Sequence, residues 1–280
     1  MTDVAVLLPL VAAIVVAAVP RSEPGLTRAV AVLAGLAELA VLLDMVLGFD
    51  PAGPAVQMTS THPWLPGLGI AWSLGVEGSA LAVLLLLGLV VPLASAIGER
   101  SDARTLAGLL VLQAAWVTVV LARDVLLLAA AWEFACVVTV ILLAAGQAAS
   151  ARRHAAYVAT GAAALVGAAV LLGVAHVHAS GGAWGWDFDA LALVTLPPSL
   201  QQLGFVLGLL AVATAVALVP LQASLISLSV GGPTPVIAVI LSGGLPVGAW
   251  LLERVLLPMF PLTAGEWADP LAAVAVAGAI

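Results

Sequence analysis

Glu133 is the residue whose type and position point most directly to chemistry. It lies in Ala129-Ala-Ala-Trp-Glu-Phe-Ala-Cys136, eight residues into an apolar run, which is about 12 Å along a helix. An ionisable group at that depth is costly and marks an ion or proton path by default. The plainer alternative is a carboxyl that only hydrogen-bonds a neighbouring helix. No Lys or Arg lies in the middle of any apolar run. An ionised Glu133 would therefore need a cation from another subunit or water, and otherwise the group stays protonated.

Other candidates carry less. Glu38 and Asp44 share one apolar run, six residues apart, so they stand about 240° apart around a helix and on different faces. Glu77, in Leu74-Gly-Val-Glu-Gly78, reads as a carboxylate at a helix start, where the helix dipole favours it. His154, beside Arg152 and Arg153, is expected at headgroup level. His176 and His178 are two residues apart and share no helical face, so no metal site is expected. Cys136 is the single cysteine. That excludes an internal disulfide, a four-cysteine zinc site and a self-contained iron–sulfur cluster, and it reads as a small packing residue. Pro220 sits inside a long apolar run and predicts a kinked, discontinuous helix. Beyond it, Ser224, Ser227 and Ser229 precede the turn Gly231-Gly-Pro-Thr-Pro235, hydroxyls that either hydrate a passage or bond back to their helix.

These residues must be positioned by membrane helices. The 280 residues are 64% apolar and 8% charged, against about a quarter charged in soluble domains, and the mean hydropathy is +1.24. A soluble enzyme with one large core is excluded. A nucleic-acid binder is excluded as well, because the isoelectric point is about 4.8 and no basic patch is present. Apolar runs predict an all-α, polytopic bundle in the lipid bilayer. Its eight spans lie near 4–19, 26–48, 79–97, 106–122, 125–145, 155–177, 203–230 and 235–257, with a partial ninth at 270–280. The ninth is too short to cross, so either the chain continues or this copy is truncated. Met1-Thr-Asp-Val4 has no basic segment and does not read as a cleaved signal. On alternate loops, Arg21, Arg28, Arg100, Arg104, Arg152 and Arg153 fall on one side, with Arg123 and Arg254 on the other. The positive-inside rule puts the first set in the cytoplasm and the N-terminus outside. His62-Pro-Trp-Leu-Pro66 and Trp184-Gly-Trp186 then fall in outward loops, as interfacial anchors would.

Several motifs occur in a telling order: Trp64-Leu-Pro-Gly-Leu-Gly-Ile70, Leu74-Gly-Val-Glu-Gly78, Asp124 with Trp132-Glu133, Pro233-Thr-Pro235, Leu241-Ser-Gly243 and Leu257-Pro-Met-Phe-Pro261. This order resembles the antiporter-like membrane subunit M (chain 4) of the proton-pumping NADH:quinone oxidoreductase, respiratory complex I. The resemblance covers the whole chain and about the N-terminal half of that family, as one incomplete transmembrane domain, 1–280. It implies a multi-pass subunit of the cell inner membrane whose partners are other membrane and peripheral subunits. It also implies a share in proton translocation coupled to NADH oxidation and quinone reduction elsewhere in the complex. No cofactor, metal or redox site is inferred in this chain.

The family's fifth-span glutamate matches Glu133, and its third-span aspartate is Glu77. Its seventh- and eighth-span lysines fall on Ala215 and Pro246, its histidine–tryptophan stretch on Gln222-Ala-Ser-Leu225, and the acidic residue of its turn on Gly231. Alanine and proline cannot replace a titrating amine, so the resemblance describes a diverged copy. Two other assignments follow from those departures and from related subunits: a non-transporting structural subunit, or a subunit of a multisubunit cation/proton antiporter or membrane-bound hydrogenase.

Overall fold

In a bilayer the backbone must satisfy its own polar groups, and uninterrupted apolar runs do so as helices. The computed structural model describes residues 1–97, 102–144, 149–216, 221 and 234–279. Its helices are α1 (Thr2–Ala18), α2 (Pro24–Leu47), α3 (Leu81–Ile97), α4 (Ala103–Leu121), α5 (Val125–Ala144), α6 (Ala149–Ala179), a short α7 (Phe188–Ala192), α8 (Pro198–Ala215) and α9 (Thr234–Leu251). A π-helical turn, Leu252–Leu256, carries α9 on to Met259, and α10 (Pro261–Glu266) and α11 (Ala268–Ala279) follow. Among the described residues, seven helices are long and apolar enough to cross a membrane, and α1 is a shorter apolar helix. The chain is thus an all-α, multi-pass membrane bundle.

The expected spans and the helices differ at two ends. The sixth helix begins at Ala149 and the seventh at Pro198, each several residues before the apolar run placed it. Proline at the first turn of α8 needs no N–H partner and starts the helix there. α8 ends at Ala215. Pro220, Ser224, Ser227, Ser229 and Gly231-Gly-Pro233 lie outside the described residues, as do Gln222-Ala-Ser-Leu225 and Arg100.

The segment between α2 and α3, read from sequence as loop, is an antiparallel hairpin of β1 (Val56–Leu65) and β2 (Ile70–Glu77). Val56 pairs with Glu77 and Leu65 with Ile70, and Pro66-Gly-Leu-Gly69 turns between them. Gly69 takes the left-handed conformation there, at φ 67°. Its Cβ position would lie 2.5 Å from the Trp184 carbonyl oxygen, so both backbone conformation and packing select glycine.

α4 is the central helix, with 78% of its apolar stretch buried. It packs on α1, α3, α5 and α9; α2 packs on α1, α3 and α4, while α6 joins α5 to α8. Asp102 caps α4, its carboxylate accepting from the Thr105 amide at 2.8 Å, and these hydrogen bonds hold it below the usual aspartate range.

Candidate functional site

α5 is started by Asp124. Its Oδ1 accepts from the amides of Leu126 and Leu127 at 2.8 and 2.9 Å, which satisfies two of the helix's orphan donors. Its Oδ2 accepts from the Ala71 amide on β2 at 3.3 Å, tying helix to hairpin. Burial, at 3% exposure, pushes the Asp124 carboxyl above the ordinary aspartate range against those hydrogen bonds.

Two turns on, Trp132 is fully buried and meets Trp116 of α4 edge to face, ring centres 5.4 Å apart. Gly243 of α9 leaves room for Trp116, since a Cβ there would stand 3.0 Å from the indole Cδ1. Below the two indoles is a cavity of about 30 Å³, lined also by Cys136 and Thr139 of α5, His154 of α6, Thr214 and Ala215 of α8, and Gly244 of α9. It has room for one water or two. The indole N–H groups of Trp116 and Trp132 are buried without a hydrogen-bond partner among the described residues. The Thr214 hydroxyl donates to the Ala211 carbonyl at 2.8 Å, which leaves its lone pairs to accept.

Glu133 is half-buried. It follows Trp132 by one residue, about 100° around α5, and precedes Cys136 of the cavity wall by about one turn. It stands at the edge of the helix's outer face, where Phe134, Val137 and Ile141 are exposed. The carboxyl is thus beside the cavity rather than in its lining, and the tryptophan that precedes it forms the roof.

His154 is 3% exposed and lines the cavity, whereas the neighbouring Arg152 and Arg153 are exposed. The first turns of α6 aim it inward against α5 and α8, and Gly161, one to two turns on, lets the helices meet: its Cβ position would overlap the Thr214 hydroxyl. Ala215, where the resemblance puts a lysine, lines the same cavity, while Pro246 lies inside α9 without touching it.

Glu38 and Asp44 are separated as their spacing requires. Asp44 is exposed, and Glu38 has no exposure and belongs to the buried stripe Thr27, Ala31, Gly35, Glu38, Leu42 and Met45 of α2. Neither carboxyl oxygen of Glu38 has a partner among the described residues. Because α2 packs on the α3 and α4 side of the bundle, Glu38 is not brought to Glu133.

Glu77 does stand at the start of the third span, at the N-cap of the turn Gly78–Ala80 that leads into α3. It is also buried and ion-paired, which its sequence position did not indicate: it accepts from Arg123 and from the Nε of Arg254, with the Arg254 Nη2 at 2.6 Å. Arg123 also donates to Asp189 at 3.1 Å and lies over the Phe188 ring, 5.5 Å from its centre. Its amide donates to Ser73 of β2, and its carbonyl accepts from Phe188. The π-helical turn of α9 carries Arg254 into this cluster. Trp186 likewise is no surface anchor: it is buried, stacks on Trp184 and donates to the Leu68 carbonyl at 2.8 Å. Trp64 and Trp184 remain exposed. That Arg123 and Arg254 are both assigned to the arginine-poor side, where Glu77 opens the third span, was the available signal for this cluster.

Comparison with known proteins agrees with this arrangement. The family described as NADH:quinone oxidoreductase/Mrp antiporter, TM, matches residues 122–280. An NAD(P)H-quinone oxidoreductase chain 4 of Thermosynechococcus vestitus is 32% identical over 265 residues, 91% of this chain and 48% of its own length. The corresponding protein of Microcystis aeruginosa is 27% identical over 263 residues, 91% of this chain and 47% of its own. The chain therefore spans about half the length of the curated relatives it matches. Among solved structures, a chain of Thermus thermophilus respiratory complex I superposes with a TM-score of 0.82 at 22% identity, over 98% of this chain and 56% of that one. A chain of the Mrp complex from Dietzia superposes at 0.70 and 25% identity, over 92% and 29%. With the matched segment covering more than half of the chain and taking in α5, α6, α8, α9, Arg123 and Arg254, the chain belongs to the NADH:quinone oxidoreductase/Mrp antiporter family of membrane subunits.

Proposed function

We propose that the chain is the antiporter-like subunit M of a proton-translocating NADH:quinone oxidoreductase in the cell inner membrane. It contributes to the proton path there, with its N-terminus on the outer side. NADH oxidation and quinone reduction belong to other membrane and peripheral subunits. The observation that carries this reading is Glu133, an ionisable group midway along a membrane helix, set beside a small cavity at the meeting of five helices. Replacing it with glutamine keeps the shape and removes the exchangeable proton. In the assembled complex, Glu133→Gln is expected to lower proton translocation relative to electron transfer by roughly tenfold. Unchanged translocation with normal assembly contradicts the reading.

A second reading, a non-transporting structural subunit, is favoured by one observation. From Ala190 to Leu252 the chain has no Asp, Glu, Lys, Arg or His, so α8 and most of α9 offer no titrating group. Ala215→Lys together with Pro246→Lys discriminates. A gain of proton movement supports a channel that lost its amines, and no change with intact assembly supports the structural role. The partner set separates both from an antiporter or hydrogenase subunit.

A further inference from the structure

We infer that the seam between α1 and α2 binds one anionic phospholipid, with its phosphate in an arginine-lined cleft and an acyl chain in the apolar groove beyond. The inference is independent of the proton-path reading and needs only that the bundle spans a membrane. The cleft, about 780 Å³, opens where the C-terminal end of α1 meets the first turns of α2 and α4. Among the described residues, Arg21, Arg28 and Arg104 line it with one carboxylate, Asp102. That carboxylate is engaged in capping α4, accepting from the Thr105 amide at 2.8 Å, so the cleft keeps a net positive charge. Guanidinium groups bond phosphate oxygens two at a time. Pro24 and Ala103 open α2 and α4, and two positive helix ends outweigh the one negative end of α1. The volume is that of a small-ligand site and accommodates a headgroup.

A free anion needs the cleft alone, whereas the seam beyond it points to a lipid. On α1, Val19 lines the cleft, Val15 is exposed one turn deeper, and Val11 lines a second cavity. On α2, Thr27 lines the cleft, Val30 is half-buried, and Ala34 lines that second cavity. Steps of four on α1, and of three then four on α2, keep each set on one helical face. The second cavity, about 480 Å³, is apolar apart from Asp3 at its far end. Ala12 and Ala34 in its wall stand seven residues from Val19 and Thr27 of the cleft, which is about 10 Å along either helix. That depth lies within half of the ~30 Å hydrocarbon core. Val11 and Val15 are 59% and 48% exposed, apolar surface that an acyl chain covers. Positive charge at the mouth and apolar wall behind it match a phosphate headgroup and its tail.

The test uses the complex isolated from its own membranes in detergent and titrated with phosphatidylglycerol, phosphatidylcholine or inorganic phosphate. Amide exchange over residues 17–28 and 102–107 reports occupancy locally. Phosphatidylglycerol should slow exchange there in a saturable way, with at least tenfold more phosphatidylcholine needed for the same protection. Arg21→Gln combined with Arg104→Gln should raise the half-protecting concentration roughly 30-fold. Arg152→Gln with Arg153→Gln, the same charge change away from the cleft, should shift it by less than about threefold. Ala34→Phe, which fills the groove and leaves the arginines alone, should raise it severalfold. Equal protection by the two lipids overturns the site, as does a cleft double variant that matches wild type. Protection by phosphate alone, or an Ala34→Phe variant that matches wild type, replaces the lipid with a free anion. A map of the complex with a neighbouring protein helix seated in the groove also overturns it. Should the double variant not assemble, the comparison of the three probes on the wild-type complex decides.

Discussion

At the scale of single residues, the buried charges fall into two kinds. Glu77 has its charge matched: two guanidinium groups donate to it, and Asp189 takes another donor of Arg123. Removing one partner from such a pair strands the other, at about 3–5 kcal/mol. Glu77→Ala should therefore lower the thermal midpoint of the purified protein by several degrees, and Glu77→Gln by less. An unchanged midpoint for Glu77→Ala would mean that the cluster does not hold that end of the bundle together. Glu38 is the opposite kind, a fully buried carboxyl whose oxygens have no partner among the described residues. Replacing an unsatisfied polar group by an apolar one of like shape is nearly neutral or stabilising. Glu38→Met should leave the midpoint equal or higher, and a fall of several degrees would mean that the carboxyl has a partner.

At the scale of elements, the joint between α5 and the hairpin is set by Asp124 and Gly69. Asp124→Ala removes a helix cap and the tie to Ala71, and it should cost about 1–2 kcal/mol, read by thermal unfolding. The pH dependence has a definite sign. Burial raises the folded-state value of Asp124 above the unfolded one, so its contribution is fully present below the unfolded value and is lost as pH rises through the folded value. Asp124→Asn should flatten stability across that window, and an undiminished slope would place the pH dependence elsewhere. Gly69→Ala should loosen the hairpin turn, because the left-handed φ and the Trp184 carbonyl both oppose a side chain. Faster amide exchange over Val56–Glu77 would report this, and wild-type protection would contradict it.

Much at this scale was legible in the residues. Apolar runs long enough to span placed most helices, and Trp132-Glu133 was readable because its position within one run is measured in helical rise. The hairpin escaped because its strands lack a clean apolar/polar alternation, with Pro63 inside β1 and Gly75 inside β2 breaking the pattern. That His154 lines the cavity escaped because the azimuth of one residue on α6 depends on tertiary packing against α5 and α8. The Glu77 cluster joins residues 46 and 177 positions apart, a pairing that no local pattern encodes.

At the scale of the whole molecule, the bundle has one arginine-rich end and one where the arginines are neutralised in pairs. Arg21, Arg28 and Arg104 share a cleft with Asp102, while Arg123 and Arg254 converge on Glu77. Exposed apolar side chains such as Leu7, Val11 and Ile14 of α1, Leu33 and Leu36 of α2, and Phe134, Val137 and Ile141 of α5 require lipid or neighbouring membrane subunits around them. The central claim is that this bundle works inside an NADH:quinone oxidoreductase. The most direct measurement is gentle isolation of the tagged protein from its own membranes, with mass spectrometry of everything that accompanies it. Peripheral dehydrogenase subunits together with other membrane subunits of that complex are the expected partners. Isolation of the protein alone, or with antiporter subunits only, would contradict the account.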